Sequence, residues 1–345
     1  MSKKALEIGP TFNQDSEAAY IAHTWHTYNS QRRPKIEAWK ELRNFIFATD
    51  TSTTSNKSLP WKNSTTLPKL CQIRDNLHSN YISALFPNDD WLRWEAYSLS
   101  DATKKKKEAI QAYMSNKTRE SMFRIEISKL LYDYIDYGNA FATVEYESSY
   151  RQDIYDKKVP IYVGPRIKRI SPLDIVFNPL ANSFKDSFKI VRSIHNIGEL
   201  KMKGLDEPDN VYLQNAITQR DKLNAHCNAY GMDDFDKADA FTIDGFGNYF
   251  EYLQSGYVEF LTFYGDLYNS QTGVLERGQE IVVVDRMWVI SKRNIPSWFG
   301  SAPIFHTGWR TRPDNLWAMG PLENLVGMQY RIDHLENLKA DAMDL

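Results

Sequence analysis

The strongest constraint on the fold is a change in the period of the apolar residues about 140 positions into the chain. Before that point they recur at steps of three and four, the spacing of one helix face. Ile36, Trp39, Leu42 and Ile46 follow this rule after Pro34, which suits a first helical turn. A second helix is predicted from Leu67 to Leu85, stopped by Pro87. Ser100 or Asp101 is placed to cap a third, which carries Lys104, Lys105, Lys106 and Lys107 and is expected to bury Ile110, Tyr113 and Met114. A fourth sets Phe123, Ile127, Leu130, Leu131 and Tyr134 on one side, and Gly138-Asn139 ends it as a left-handed cap would.

Over Ala140 to Tyr146 the period falls to two, and from Val159 short β-like runs follow. Strands are expected over 140–146, 159–163, 166–170, 174–177, 189–195, 257–264, 280–291 and 304–309, with one more over 91–97 inside the helical part. Residues 269–278 read as a hairpin connection, 209–229 as a helix and 232–248 as an acidic loop. A long helix starts at Pro321. The class is therefore α+β, in three consecutive sections: a helical one over 1–99, a mixed β-rich one over 100–310, and 311–345 with the final helix.

Composition narrows the function. Net charge is −2, so no basic field covers the chain, and any contact with nucleic acid must be local, weak or slippery. Aromatics make up 13% of the residues, which a packed core accounts for first and subunit contacts second. Cys71 and Cys227 fit neither a metal motif nor a disulfide framework, so a reducing compartment is expected. Met1 to Lys4 lead into a polar stretch without the apolar core of a signal peptide. No apolar run approaches the roughly 20 residues that span a bilayer, so a soluble chain without membrane contact is expected.

The residues of chemistry do not assemble into a site. There is no phosphate-binding Gly-x4-Gly-Lys-Ser/Thr loop, and Gly245-Phe246-Gly247 lacks a third glycine. His23 and His26 are three apart on a helix without a further ligand, and His226-Cys227 lacks an orienting third group. Asp233, Asp234, Asp236 and Asp239 miss the glycine and terminal glutamate of a calcium loop. The four-lysine run reads as a solvated helix face before it reads as a phosphate contact. No catalytic residue, cofactor or metal is assigned, and the chain is not expected to be an enzyme.

The final helix has an apolar arc of Leu325, Met328, Ile332, Leu335, Leu338, Ala342 and Leu345. Asp333, Glu336, Asn337, Asp341 and Asp344 lie opposite. Arg331 and Lys339 fall within the apolar arc, where their stems can cover apolar surface while their heads reach carboxylates on a neighbouring helix. The pattern runs off Asp344-Leu345 without a stop signal, which predicts more sequence beyond.

Three stretches resemble the portal (head–tail connector) proteins of short-tailed double-stranded DNA phages. In 166–179, Ser171, Pro172, Asp174, Phe177 and Pro179 match a run in the family's wing. In 317–344, Gly320, Pro321, Asn324, Leu325, Gln329, Ile332 and Asn337 resemble the entry into its stem helix. The run 132–141, with Gly138 and Asn139 at the turn, is similar to the helix-to-strand step of the wing. The stretches keep the family's order. The clip, second stem helix and crown that normally follow are not in this sequence.

The resemblance implies a subunit of a ring, usually of twelve, at one capsid vertex in the virion, assembled in the host cytoplasm. It forms the channel for genome packaging and ejection and the point of tail attachment. Double-stranded DNA would pass without sequence-specific contact. Capsid and scaffolding protein are expected against the wing, and terminase and tail adaptor mainly against the clip. On this reading Asp333, Glu336, Asn337, Asp341 and Asp344 line the channel, their charge keeping phosphate from sticking. Leu325, Met328, Arg331, Ile332, Leu335 and Lys339 pack between subunits. The alternatives are another virion structural protein of tail or capsid, and a metal-dependent phage nuclease built on Asp233, Asp234 and Asp236.

Overall fold

The computed structural model describes residues 16–47, 66–88, 91–92, 95, 101–152, 158–230, 256–269, 273–295 and 301–343. Helices and antiparallel sheets are both present, so the class is α+β. The chain divides into two units, neither continuous in sequence. One takes Met1–Arg32, Asp174–Asn178 and Lys185–Ala302; the other takes Arg33–Leu173, Pro179–Phe184 and Pro303–Leu345. This differs from three consecutive sections, because the chain leaves and re-enters each unit within a few residues around 173–185.

The first unit is a three-layer arrangement. Its antiparallel sheet runs in the order β3 (Ile175–Phe177), β4 (Lys189–Asn196), β5 (Tyr257–Asn269), β6 (Val274–Val284), β7 (Trp288–Asn294). Alternation lets both faces bury apolar side chains. Helix α1 (Ser16–Gln31) sets Ala18, Ile21 and Trp25 against Ile190, Leu261, Phe263 and Val283 on one face. Two helices after β4, here α6 (Ile197–Asp206) and α7 (Val211–Tyr230), set Leu200, Leu213 and Ala216 against Val258, Val284 and Ile290. The sequence reading missed α6, whose start is fixed by Asn196: its side chain accepts the Gly198 N–H at 2.8 Å.

The expected strand over 280–291 is two strands. Asp285 and Arg286 take positive φ values of 49° and 61°, and the Met287 N–H closes the turn on the Val284 carbonyl at 3.0 Å. This is the mirror-image turn that suits a tight hairpin. Asp285 and Arg286 are both buried, and each has a counter-charge. Arg220 of α7 pairs with Asp285, and Arg286 forks onto Glu259 of β5 at 2.7 and 2.9 Å.

In the second unit, α2 (Arg33–Phe47), α3 (Lys69–Leu85), α4 (Asp101–Glu120) and α5 (Phe123–Asp136) precede a long hairpin, β1 (Asn139–Gln152) and β2 (Lys158–Ile170). Strand β8 (Ile304–Gly308) joins the other side of β1, and β9 (Arg310–Arg312) pairs with β10 (Asn315–Met319). A 3-10 turn, Glu323–Leu325, leads into α8 (Val326–Met343). Leu42, Phe45, Ile46, Leu70, Ile135 and Leu322 form the core. Gly164-Pro165 does not interrupt β2, because β2 is an edge strand and its outer side needs no N–H from proline.

Two expectations about α4 and its approach are corrected. Ile110 and Tyr113 are exposed, because α4 turns its half-buried side, with Lys107, Gln111, Met114 and Thr118, toward the unit. Trp91, Leu92 and Glu95 are not in a strand, and the rest of 91–97 lies outside the described residues. The expected loop at 232–248 also lies outside them. No helix among the described residues is long and apolar enough to cross a membrane.

Candidate functional site

Helix α8 is inside out relative to its own unit. The row Gln329, Asp333, Asn337, four apart on one face, is buried. Met328, Ile332, Leu335, Leu338 and Met343 are exposed, with Met328 and Leu335 both at 62%. The cause is what the buried row faces. Asp333 Oδ1 accepts the backbone N–H of Leu67 at 3.0 Å and the Gln329 amide at 2.8 Å, while Gln329 also donates to the Leu67 carbonyl. An irregular backbone segment needs polar partners, so the polar side of the helix turns inward to supply them. Burial pushes the Asp333 carboxyl above its ordinary range, against these two hydrogen bonds. Beside this row the Tyr330 hydroxyl donates to Glu41 of α2 at 2.6 Å, and burial together with Glu41 pushes it up to about 12.

This corrects part of the channel-wall expectation. Asp333 and Asn337 face the interior of the unit rather than its surface. Glu336 is exposed, Asp341 is half-buried and Asp344 lies outside the described residues. Among the expected inter-subunit residues, Leu325 packs into the unit's own core. Met328, Arg331, Ile332, Leu335 and Lys339 share the exposed face.

A second constellation joins the helix-to-strand step at 138–139 to the segment before α8. Gly138, at φ +68°, lies so close to Gly320 that a Cβ there would meet the Gly320 nitrogen at 2.3 Å. The Asn139 side chain holds the same place. Its Oδ1 accepts the Ala318 N–H at 2.9 Å, and its Nδ2 donates to the carbonyls of Ala318 at 3.0 Å and Tyr137 at 2.8 Å. Lys35 of α2 adds a hydrogen bond to the Ala318 carbonyl at 2.7 Å. No sequence signal joined these positions, although Gly138, Asn139, Ala318 and Gly320 each fell within one of the portal-like stretches and only Lys35 did not.

No family model and no curated protein sequence matches this chain.

The remaining motif residues are structural in place. The Ser171 hydroxyl accepts the Leu173 N–H at 3.3 Å, and Asp174 pairs with Arg192 at 2.7 Å. Phe177 is buried, and the Pro179 carbonyl accepts the Leu316 N–H at 2.9 Å. Pro172 is buried as well. His23 and His26 lie on α1, and no group of three or more His, Cys, Asp or Glu among the described residues could hold a metal ion. Asp233, Asp234, Asp236, Asp239 and Gly245 to Gly247 lie outside the described residues, as do the side chains of His226 and Cys227.

His306 of β8 stacks on Phe141 at 4.6 Å, and its Nε2 is 3.0 Å from Asn139 Oδ1, an acceptor, so the neutral ring donates there. Burial pulls its pKa down to about 4. Asp133 of α5 goes the other way: burial raises it to about 6 although Arg169 forks onto it. As pH falls from 6.5 to 4, the unfolded chain takes up a proton at His306 that the fold refuses, and stability drops. Between about 6 and 4 the folded Asp133 takes up a proton that the unfolded chain does not, and stability rises. Each contribution is up to about 3 kcal/mol, at about 1.4 kcal/mol per pKa unit. Urea unfolding between pH 4 and 7 is expected to show the two offsetting in the parent. His306→Gln should make the second unit gain stability on acidification, and Asp133→Asn should make it lose stability more steeply. Equal slopes in all three proteins would contradict the assignment.

Proposed function

We propose that the chain is a structural subunit of a phage portal, copies of which pack into a closed ring at one capsid vertex, the conduit for genome packaging and ejection. The observation that carries this reading is the exposed apolar face of α8. Five apolar side chains, Met328, Ile332, Leu335, Leu338 and Met343, stand in water on a helix whose polar row is already used inside its own unit. Such a face needs a cover, and closed homo-oligomers supply one by bringing the same helix from the next copy against a different patch. Arg331 and Lys339 lie within the same exposed face and suit contacts to carboxylates of a neighbour. The order of the three portal-like stretches supports the same reading, and two of them meet at Gly138 and Gly320. Double-stranded DNA, capsid and scaffolding proteins, terminase and tail adaptor are the partners that follow from it, and the virion is the place.

The test is native mass measurement and electron microscopy of the purified protein at low micromolar concentration, with a Met328→Asp/Leu335→Asp variant beside it. The parent is expected to form closed rings. The variant is expected to be monomeric with unfolding free energy within about 0.5 kcal/mol of the parent, since both side chains are exposed. A parent that stays monomeric, or a variant that still closes rings, would count against the reading.

A further inference from the structure

The second unit has a cleft of about 230 Å³ where the end of α3, the last turns of α4 and the start of α5 meet. Its apolar lining is Phe86, Trp91, Leu92, Met114 and Phe123. Two guanidinium groups, Arg119 and Arg124, stand at its edge, both exposed. Arg124 lies over the Phe86 ring at 5.3 Å, and among the described residues neither arginine has a carboxylate within ion-pairing distance. The surrounding stretch, 101–124, holds seven basic residues against three acidic ones in a chain whose net charge is −2. The turn joining α4 to α5 is strained: Met122 is held at φ 55°, a conformation that costs an L-residue roughly 1–2 kcal/mol. Met122 and Ile125 beside the cleft are exposed apolar side chains. Strain and apolar exposure together at one mouth mark a surface built for contact.

The geometry points to a docking site for an acidic segment of a partner protein that sets one large apolar side chain in the cleft beside the stacked Trp91 and Phe123 rings, against Leu92 and Met114, and its carboxylates on Arg119 and Arg124. Size favours a single side chain, because small-molecule pockets are usually about 300–1,000 Å³. The rings favour a peptide over a nucleobase. Trp91 and Phe123 already stack on each other, with centroids 5.3 Å apart and planes 17° apart, which leaves no slot for a base between them. The two arginines match a carboxylate pair in fork geometry, and the remaining basic residues of α4 extend a field that attracts an acidic chain. This inference does not depend on ring formation.

The test uses the full chain and a labelled acidic peptide with a central phenylalanine, read by fluorescence anisotropy. A peptide with glycine in place of phenylalanine and a thymidine oligonucleotide serve as comparisons. The phenylalanine peptide is expected to bind, with the glycine peptide roughly tenfold weaker. Arg119→Glu/Arg124→Glu is expected to weaken binding by roughly tenfold or more. Thr118→Trp, which fills the cleft, should do the same through the anchor alone. The arginine variant should melt with the parent, since both side chains are exposed. No binding of the phenylalanine peptide, or equal binding of the glycine peptide, would overturn the proposal. So would an oligonucleotide that binds and is lost in the same variants, which would assign the cleft to nucleic acid instead.

Discussion

Asp285→Asn is expected to destabilise the first unit by about 3–5 kcal/mol, the cost of leaving a buried charge without its counter-charge. Asparagine keeps the size of the side chain and tolerates the left-handed backbone that Asp285 adopts at φ 49°, so the substitution isolates the charge. What remains is the Arg220 guanidinium, 1% exposed, which also donates to the Tyr257 carbonyl at 3.1 Å. A neutral amide cannot compensate it. The neighbouring pair makes the effect local and coupled. The Asp285 N–H donates to the Glu259 carbonyl at 3.0 Å, and Glu259 holds the Arg286 fork, so both turn residues are fixed to β5. Equilibrium unfolding in urea checks the loss. Arg220→Met combined with Asp285→Asn removes the stranded cation and is expected to recover more than half of it, because a buried pair is worth little more than apolar groups of the same volume. A single variant as stable as the parent would show that the pair is not buried in solution.

How far such features could be read from the sequence depends on where their cause lies. The helix end at Gly138-Asn139 was legible because its cause is local: glycine alone takes φ +68° without strain. Strand β5 was legible because a short apolar run such as Phe260-Leu261 records burial on both of its faces. The break at Asp285-Arg286 was not, since this dipeptide is no usual turn signal. Its conformation is held by Arg220 and Glu259, 65 and 27 positions away. The sense of α8 was also hidden. Its apolar and polar arcs were plain in the sequence, but which arc turns inward depends on the backbone at Leu67, a partner 266 positions before Asp333. The portal resemblance marked Gly138 and Gly320 separately, while their contact is tertiary and appears only in the fold.

That contact yields the other large effect. Gly138→Ala is expected to cost the second unit about 3–5 kcal/mol, from two sources that other glycines separate. The first is conformational: an L-residue at φ +68° costs roughly 1–2 kcal/mol. Gly278, at φ +59° with nothing within 4 Å of an added Cβ, carries that cost alone, so Gly278→Ala should lose only about 1–2 kcal/mol in its own unit. The second is steric. The Cβ of residue 138 would fall 2.3 Å from the Gly320 nitrogen and 2.6 Å from the Met319 carbonyl carbon, and both are backbone atoms with no rotamer to change. Gly320→Ala meets the same joint from the other side at 3.0 Å from the Gly138 nitrogen, without a positive φ, so a loss of about 1–3 kcal/mol is expected there. Relief of the clash must push β10 away from Asn139, which ties Ala318 by its N–H and its carbonyl. The loss should therefore appear together with faster amide exchange at Ala318, and hydrogen-exchange mass spectrometry reads both. If Gly138→Ala costs no more than Gly278→Ala, the backbones at 138 and 320 are not in contact and the joint beneath the terminal helix is not built as described. If it costs the larger amount, the segment that carries α8 is seated at the start of the β1–β2 hairpin through a contact only glycine permits, and that seat acts together with the Leu67 contacts of Gln329 and Asp333 that turn the polar row of the helix inward.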